Sequence, residues 1–326
     1  MESFDISVNL CTYNRVEMLR STLESLLHQE TDGLDSYEII IIDDGSTDET
    51  PSLVKETSDH SRIPIRYFRE ERVGVAAARN RGVKESHGEW IAFIDDDEVP
   101  EACWLKELFC EAKRSGAACV GGPVLAHFLS SPPDSKMKTT LCLLGYNKAM
   151  DSENGTMHWY DRLIHYYIPG TGNALVKRDT FDNLGAFDTT LPYGEDMDFF
   201  RRLRKAGLKI SHNSQARVKH MVPASRLDPV YLKQLSKLGG QTLARLDMRE
   251  WGYIALLLFS LARVSNLFFR RFPMLLRGFA KGDRGSVLDH TLSLIYSASY
   301  LNESTAIFFG VFKTRVTSSA DQIKRR

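Results

Sequence analysis

Residues 90–100 read WIAFIDDDEVP, an apolar run that changes abruptly into a run of acids. The first half is apolar throughout, as expected of a strand that is covered on both faces. Asp95, Asp96, Asp97 and Glu98 follow directly, and like charges this close disfavour one another's ionised form. The stretch therefore predicts a buried strand that ends at an acidic cluster, and this cluster needs a neutralising partner.

The sequence around this stretch alternates between strand and helix patterns. Apolar runs typical of covered strands are separated by segments with apolar residues at helical spacing. This order predicts an α/β protein with a parallel sheet, right-handed crossovers and helices on both faces. The predicted strands are DISVNLC, YEIIIID, IPIRYFRE and GEWIAFID; the predicted helices are RVEMLRSTLESLLHQ, STDETPSLVKETS (with Ser46 or Thr47 as N-cap) and VAAARNRGVKES.

Polar and acidic residues follow three of the predicted strands. CTYNR follows the first strand, DDGSTDE the second and DDDE the fourth. The carboxyl ends of parallel strands lie at one edge of a sheet, and ligands of such sheets bind outside that edge. We therefore expect these three segments to converge on one binding site.

A divalent cation is one partner that can neutralise the acidic cluster. Such a cation takes carboxylate oxygens as ligands and leaves positions open for substrate phosphates. The alternative is a strand-to-helix turn, in which acids favour the positive N-terminus of the next helix. One acid is enough for that purpose, so the run of acids favours the metal.

Asp43, Asp44 and Arg79 each have a structural and a functional interpretation. An Asp at the end of a strand commonly forms an Asx turn, but a carboxylate at this edge can also accept hydrogen bonds from a nucleobase or a ribose. Arg79, within GVAAARNRG, is either a surface charge or a bidentate ligand of a diphosphate. The position of Asp43 and Asp44 at the edge with the acidic cluster favours ligand binding.

The composition is that of a globular protein without a global electrostatic field. Of 326 residues, 43% are hydrophobic and 26% are charged, and the formal net charge is +0, so no overall field favours nucleic acid. The five cysteines (Cys11, Cys103, Cys110, Cys119 and Cys142) fit neither a zinc knuckle nor a disulfide framework, which favours a reducing compartment. The start, MESFDISVNL, lacks the pattern of a signal peptide.

The chain after residue 228 is helical and increasingly apolar. Its most hydrophobic window, WGYIALLLFSLARVSNLFFRRF, is about long enough to span a bilayer, but Arg263 near its middle would cost about 2.5–3.5 kcal/mol there. The later segments SVLDHTLSLIYSASYL and STAIFFGVF are too short or too polar to span. These helices complete a core, form an oligomer contact, or lie at a membrane interface. We favour peripheral membrane attachment together with packing on the core, with these basic residues at headgroup level: Arg263, Arg270, Arg271, Arg277 and Lys281.

Six motifs occur in order over roughly residues 5–225: VNLCTYNR, IIIIDDGSTDET, GVAAARNRGV, GEWIAFIDDDEVP, GTGNALVKRDTFDNLGAFD and YGEDMDFFRRLRKAG. In this ordered set the chain resembles the family 2 glycosyltransferases with the GT-A fold, although Cys11 stands where that family often has Pro. The resemblance implies a Rossmann-like, mostly parallel sheet flanked by helices. It also implies a GT-A domain over 1–227, with a nucleotide-sugar half (1–128) and an acceptor-binding, catalytic half (129–227), followed by a helical C-terminal extension over 228–326.

The resemblance also implies which residues bind the nucleotide-sugar donor. Asp43 and Asp44 hold uracil and ribose, with Asp44 the better base contact, while Gly172 and Asn173 belong to the floor of the donor-sugar and acceptor pocket. Asp96 is a donor contact or, like Glu98, a turn or cap residue. The implied donor-binding set is Thr12, Tyr13, Asn14, Asp43, Asp44, Arg79, Asp95, Asp96, Gly172 and Asn173.

The metal and the catalytic base come from the same resemblance. Asp97 ligates Mn²⁺ or Mg²⁺, Asp95 contacts the metal or the ribose, and His220 completes the metal shell or contacts the diphosphate. Asp196 takes the proton of the acceptor hydroxyl, and Glu195 orients the acceptor or the base. Arg226 is implied, less directly, to close over the diphosphate.

The predicted function is therefore an inverting, metal-dependent glycosyl transfer from a nucleotide diphosphate sugar, UDP first, to a hydroxyl of a glycan or lipid-linked acceptor. The predicted location is the cytoplasm, at the inner face of the cell membrane. A sugar nucleotidyltransferase is the first alternative, but CTYNRVEM is not the Gly-rich basic phosphate loop that it needs. A catalytically silent binding subunit is the second, and the intact set of Asp95, Asp97, Asp196 and His220 argues against it.

Overall fold

The computed structural model describes residues 4–33, 36–133, 137–144, 168–191 and 193–310. The described residues divide into two compact units. The first unit lies within Met1–His127, Lys148–Thr189 and Glu195–Met221; the second lies within Phe128–Asn147, Thr190–Gly194 and Val222–Arg326. The domain limits expected at 128/129 and 227/228 stay a prediction.

The first unit is built on a 7-stranded sheet in the order β3-β2-β1-β4-β8-β6-β9. β1, β2, β3 and β4 are parallel to one another, whereas β8 runs antiparallel to both β4 and β6. The strands are β1 (Ile6–Thr12), β2 (Tyr37–Asp43), β3 (Ile65–Arg69), β4 (Trp90–Asp95), β5 (Glu98–Pro100), β6 (Cys119–Gly121), β7 (Val124–Phe128), β8 (Ala174–Lys177), β9 (Ile210–His212) and β10 (Val218–Val222). The predicted mostly parallel sheet is confirmed.

Helices cover the sheet, and the apolar runs of the sequence form the core between the layers. Every residue of β2 is buried, as a strand covered on both faces requires. The helices are α1 (Val16–Leu27), α2 (Thr50–His60), α3 (Val75–Glu85), α4 (Trp104–Ser115), α5 (Lys138–Leu143), α6 (Asp179–Leu184), α7 (Glu195–Lys205), α8 (Pro229–Asn266), α9 (Phe272–Lys281) and α10 (Arg284–Phe308).

The expected N-cap of α2 is wrong. The helix begins at Thr50, beyond Ser46 and Thr47. Asp48 has the role that we expected of those residues, because its carboxylate accepts hydrogen bonds from the backbone N–H of Thr50 and of Val16, each at 3.1 Å. Asp48 therefore connects the first residues of α1 and α2 through its side chain.

The strand register positions the predicted site. Thr12 pairs with Asp43 and Cys11 pairs with Asp95, so β1, β2 and β4 end at the same level. A second, 3-stranded sheet in the order β5-β10-β7 lies beyond these ends. In it, β10 runs antiparallel to β5 and places His220 opposite Glu98. The segments that follow the three strands therefore meet at one edge, as predicted.

The second unit is helical. α8, a π-helical turn at Leu267–Arg271 and α9 follow one another directly in the chain, and α8 is kinked at Gly252, whose backbone is not helical (φ 77°). The first of the two late segments and the start of the second, up to Phe308, form one helix, α10, and the end of the second lies outside the described residues. The predicted helical C-terminal extension is confirmed for residues up to 310.

Arg263 does not lie where the sequence placed it. Its guanidinium carbon is 3.7 Å from the centre of the Tyr300 ring, and its Nη2 is 4.0 Å from Oδ2 of Asp247. The side chain is only 16% exposed. Arg263 therefore packs inside the helical unit, and its expected position at headgroup level is wrong.

Candidate active site

Two arginines neutralise the acidic cluster at the end of β4. Nη2 of Arg79, on α3, lies 2.6 Å from Oδ1 of Asp95. Nη1 of Arg15, at the start of α1, lies 2.9 Å from Oδ1 of Asp96 and 2.9 Å from Oδ2 of Asp97. The protein itself therefore supplies part of the positive charge that the sequence assigned to a cation alone. Arg15 was missed as a site residue, although it stands in the quoted motif CTYNR.

Asp96 connects the ends of two strands. Its Oδ2 accepts a hydrogen bond of 2.8 Å from the hydroxyl of Thr12, and only 4% of the residue is exposed. Burial raises its pKa to about 6, with Arg15 acting in the opposite direction. These contacts agree with the turn interpretation of Asp96, and its contact with a donor stays a prediction, as does that of Thr12.

Glu98 is the last acid of the cluster, and its carboxyl group contacts the backbone of Asp95. Its Oε2 accepts a hydrogen bond of 2.9 Å from the backbone N–H of Asp95, and burial raises its pKa well above the usual range. A Cβ on Gly172 would lie only 2.2 Å from Oε1 of Glu98. A side chain at position 172 would therefore require the buried Glu98 carboxyl group to shift, because the loop before β8 packs directly against it.

Asp97 and His220 are neighbours. Oδ2 of Asp97 lies 3.6 Å from Nε2 of His220, and the backbone N–H of Met221 donates to the carbonyl of Asp97 at 2.8 Å. Two ligands at right angles on an ion such as Mg²⁺ are about 3 Å apart, so this pair has nearly the spacing of two neighbouring ligands. Within the described residues no group of three or more His, Cys, Asp or Glu side chains could hold a metal ion.

The donor set of Asp97 and His220 fits a hard divalent cation that keeps open positions for water and substrate phosphates. Asp95, the predicted third ligand, has its Oδ1 against Arg79. The roles of Asp97, Asp95 and His220 as metal ligands stay predictions.

Asp43 and Asp44 are both engaged by the protein. Oδ1 of Asp43 accepts from the backbone N–H of Ser46 at 2.7 Å, and Oδ2 accepts from the Tyr67 hydroxyl at 2.5 Å. Asp43 therefore stabilises the turn after β2, as the structural interpretation expected, although its partner is three residues on and not the two of an Asx turn. Both carboxylate oxygens of Asp44 lie 3.2 Å from the backbone nitrogen of Gly74. The contacts of Asp43 and Asp44 with a nucleotide stay predictions.

Tyr13 and Asn14 form the rim beside these acids. The guanidinium carbon of Arg72 lies 4.1 Å from the centre of the half-buried Tyr13 ring, and its Nη1 also donates to the Tyr13 hydroxyl. Asn14 has φ 50°, and its Oδ1 accepts from the backbone N–H of Thr47 at 2.7 Å. The rim thus offers an aromatic face and a cation. No sequence motif pointed to Arg72, which lies in a loop.

Glu195 and Asp196 begin α7, and Arg79 links them to the acidic cluster. Nη1 of Arg79 lies 2.5 Å from Oε1 of Glu195, while its other nitrogen holds Asp95. Because both ends of the guanidinium are used and the side chain is buried, the surface-charge interpretation of Arg79 is wrong. Its contact with a diphosphate stays a prediction.

The position of Arg79 depends on close packing of α3 against β1. The side-chain amide of Asn9 donates to the carbonyl of Arg79 at 2.9 Å. A Cβ on Gly82 would lie 2.3 Å from that same amide, so only glycine lets the helix approach this closely.

The carboxyl group of Asp196 lies in surroundings that disfavour its ionised form. Burial raises its pKa to about 6, followed in size by the negative charge of Glu195, while Arg79 lowers it. Its Oδ1 accepts from the backbone N–H of Met197 at 2.7 Å. A Cβ on Gly170 would lie 3.5 Å from Oδ2 of Asp196, so the exposed Gly170 lies beside this carboxylate.

Asn173 is committed to the fold. Its Oδ1 accepts from the indole N–H of Trp104 at 2.8 Å, and its Nδ2 donates to the carbonyls of Pro123 and Ala216. The residue is 1% exposed, so a role for Asn173 in the pocket floor stays a prediction. Arg226, in the second unit, donates to the Tyr231 hydroxyl at 2.7 Å, and its contact with a diphosphate also stays a prediction.

A mostly parallel sheet that is flanked by helices and has acidic residues at its strand ends is the arrangement of the GT-A fold of glycosyltransferases. Residues 7–185, more than half of the chain, match the family described as Glycosyl transferase family 2. The chain belongs to that family and is a glycosyltransferase.

Curated relatives agree with this assignment. The succinoglycan biosynthesis protein ExoM of Rhizobium meliloti is 31% identical over 248 residues, which cover 75% of this chain and 76% of that protein. The putative glycosyltransferase EpsH of Bacillus subtilis is 35% identical over 186 residues, which cover 56% of this chain and 47% of that protein.

Solved structures share the fold. The mannosyltransferase PcManGT from Pyrobaculum calidifontis, in complex with GDP-Man and Mn²⁺, aligns with a TM-score of 0.61 at 17% identity, covering 93% of this chain and 87% of that one. TarS 1–349 of S. aureus in complex with UDP aligns with a TM-score of 0.52 at 17% identity, covering 94% and 91%.

Proposed function

We propose that the protein transfers a sugar, with inversion, from a nucleotide diphosphate sugar to an acceptor hydroxyl, and that the reaction depends on a divalent metal. One observation carries this proposal. Arg79 holds Asp95, at the end of β4, and Glu195, beside the candidate base Asp196, on the two ends of one guanidinium. The nucleotide side of the site and the catalytic acids are thereby held in one rigid arrangement.

Asp196 is the proposed general base. An inverting transfer needs a carboxylate that takes the acceptor proton while the hydroxyl attacks the anomeric carbon. A pKa raised to about 6 leaves Asp196 ionised at neutral pH and more basic than an ordinary aspartate. Glu195, held by Arg79, increases this basicity through its negative charge. Gly170 leaves room for the acceptor beside Asp196.

Asp97 and His220 are the proposed metal ligands, with Asp95 as their neighbour on the nucleotide side. The ion is Mn²⁺ or Mg²⁺; it would act as a Lewis acid for the departing diphosphate. Nη1 of Arg15 lies 2.9 Å from Oδ2 of Asp97, the same oxygen that faces Nε2 of His220, so Arg15 positions this carboxylate and competes with the ion for it. The Pyrobaculum mannosyltransferase, whose structure contains Mn²⁺, supports this proposal.

The proposed donor nucleotide is UDP, with the base against Tyr13 and hydrogen-bonded to Asp44. An aromatic face next to the Arg72 guanidinium suits stacking of a pyrimidine. The TarS structure contains UDP, whereas the Pyrobaculum enzyme binds GDP-Man. A thermal-shift screen of UDP-, GDP- and dTDP-sugars with Mn²⁺ tests this choice, because the true donor raises the melting temperature most.

The proposed acceptor is a growing polysaccharide or glycoconjugate, free or lipid-linked, at the cytoplasmic face of the cell membrane. ExoM acts in succinoglycan biosynthesis by name. A further relative, 26% identical over 226 residues, is the glucosyl-dolichyl phosphate glucuronosyltransferase of Haloferax volcanii. Both names support an acceptor of this kind.

Asp196→Asn tests the proposed mechanism. The amide keeps the size of the side chain but cannot take a proton, so turnover should fall by roughly a hundred- to ten-thousandfold while donor binding persists. Asp179→Asn, an exposed Asp in the first turn of α6, is the matched control and should transfer like the wild type. Unchanged turnover in the Asp196 variant would contradict the assignment of the base.

A further inference from the structure

The second unit contains a helix whose apolar side faces outward. We call residues 253–281 the interfacial helix: it follows the kink at Gly252, passes through the π-helical turn at Leu267–Arg271 and ends at Gly282. Within Pro229–Lys281, an 18-residue window has a mean hydropathy of 1.6 and is apolar enough to cross a membrane, yet only 6% of it is buried. A soluble helix normally turns such residues inward.

Most of the exposed apolar residues of this helix form one stripe, and the exposed Phe269 follows one of its members, Phe268. Ile254 is 79% exposed, Phe268 69% and Phe269 84%. Successive members of the stripe are three or four residues apart, which places them on one face of a helix. The stripe consists of Ile254, Leu258, Leu261, Val264, Phe268, Phe272, Leu276 and Phe279. Its length of about 38 Å exceeds what an isolated surface side chain would explain.

The opposite face of the interfacial helix packs within the helical unit, mainly against α10. Leu256 and Tyr300 of α10 are both 0% exposed and belong to one cluster. Arg263 points to this side, toward Tyr300 and Asp247. Gly278 packs against Val287, which a Cβ would approach to 3.2 Å. The apolar stripe lies away from this packing and remains open to a partner.

This packing argues against a helix that crosses a bilayer. A crossing helix needs hydrocarbon or other crossing helices around its whole circumference. α10, which covers the inner face, contains Asp289, His290 and Glu303, and these groups are costly inside a bilayer. A helix that lies in the plane of the interface with one side in the acyl chains avoids that cost.

The basic residues of the interfacial helix favour anionic lipids. Residues 251–282 include no Asp or Glu. Arg270, Arg277 and Lys281 are exposed there, and basic side chains next to an apolar face favour anionic headgroups. We propose that the interfacial helix binds an anionic phospholipid bilayer in the plane of its surface, with the stripe toward the acyl chains. This deepens the membrane location proposed above and is independent of the transfer reaction.

Vesicle flotation of the full-length protein tests the proposal. The protein should float with vesicles of phosphatidylcholine and phosphatidylglycerol, and less with phosphatidylcholine alone or at high salt, which screens surface charges. Phe268→Ser/Phe269→Ser should weaken the vesicle affinity by about tenfold or more, since two aromatic side chains lose their apolar environment. Leu129→Ser, at a residue 54% exposed outside the helix, is the control and should bind like the wild type.

The charge variant separates the electrostatic part of the binding. Arg270→Gln/Arg277→Gln/Lys281→Gln should lower affinity for the anionic vesicles by about a hundredfold, at a few-fold for each charge, and should abolish the preference over phosphatidylcholine. Lys233→Gln/Lys237→Gln, two exposed lysines of α8, is the matched control and should keep the preference.

Three results would overturn the proposal. In the first, the wild type does not float, or the Phe268/Phe269 variant floats equally well. In the second, the protein resists extraction by alkaline carbonate, which would indicate a crossing helix. In the third, the wild type is a dimer that the same two substitutions dissociate, without any vesicle binding, which would assign the stripe to a second copy of the chain. Donor hydrolysis in vesicle-free buffer reports on the transferase separately.

Discussion

The acidic edge of the sheet buries charged side chains, whereas the interfacial helix exposes apolar ones. At the edge, Asp96, Asp97 and Glu98 are each no more than 4% exposed, and arginines lie against the carboxylates of the cluster. Along the helix, Phe268 and Phe269 are largely exposed. Burying charge is expensive unless it is paired, and exposing large apolar surface is unfavourable in water. The protein's own arginines therefore make the burial of the acids favourable, whereas the exposed apolar side of the helix needs a bound partner.

Arg79→Met should have the largest effect. The variant removes the guanidinium that pairs with both Asp95 and Glu195. The loss of this pairing should cost about 3–5 kcal/mol of unfolding free energy and should abolish transfer. Urea denaturation measures the loss. Arg79→Lys should recover little, because one ammonium cannot hold both carboxylates. Arg81→Gln, at a side chain 39% exposed that pairs with Glu85, is the control; a similar loss there would contradict the special role of Arg79.

Arg15→Gln should destabilise the protein by about 1.5–3 kcal/mol, the range for hydrogen bonds to charged groups. Because the variant removes a cation that competes for the Asp97 carboxylate, added Mn²⁺ should raise its melting temperature more than that of the wild type. Thermal unfolding with and without Mn²⁺ measures both effects. A smaller Mn²⁺ shift in the variant would mean that Arg15 assists metal binding instead of competing with it.

Gly172→Ala should cost about 1–3 kcal/mol, the usual range for overpacking, because the new methyl group would lie 2.2 Å from Oε1 of Glu98. Gly170→Ala is the matched comparison, since its Cβ would lie at an ordinary 3.5 Å from Asp196. The second variant should keep its stability and lose acceptor turnover. Equal stability of the two variants in urea would contradict the close contact between Gly172 and Glu98.

The transfer rate should fall as the pH falls through about 6, the raised pKa of Asp196. The base form of the carboxyl group is the ionised one, so activity is complete above this pKa and decreases about tenfold per pH unit below it. A pH–rate profile at saturating donor measures this decrease of the rate at acidic pH, with circular dichroism as a control for folding. An activity that is constant down to pH about 4, near an ordinary aspartate pKa, would contradict the raised value.

Phe269→Ala should have the smallest effect. The side chain is 84% exposed, so the free energy of unfolding in buffer should change by less than about 0.5 kcal/mol. Phe199→Ala, at a residue 0% exposed in the core of the first unit, should cost about 3–5 kcal/mol. A large loss at Phe269 would mean that this surface is covered in solution, which would remove the contrast between the two regions.

Local patterns were enough for the four parallel strands, for the helices between them and for the location of the site, but they did not predict the short strands β5 to β10. Alternating apolar runs and helical periodicities predicted the parallel strands, and the segments after β1, β2 and β4 meet at one edge as expected. The errors arose where nearby groups compete for the same role. Asp48 took the position expected of Ser46 or Thr47, and Arg263 turned toward Asp247 and Tyr300.

The sequence by itself determined that four acids follow a buried strand and that their mutual repulsion must be relieved. Only the tertiary structure decided which groups relieve it. Arg79 meets Glu195 across 116 positions of the chain, and Arg15 meets Asp97 across 82. The strength of an ion pair depends on distance in space and on burial, and neither quantity can be read from the spacing of residues along the chain.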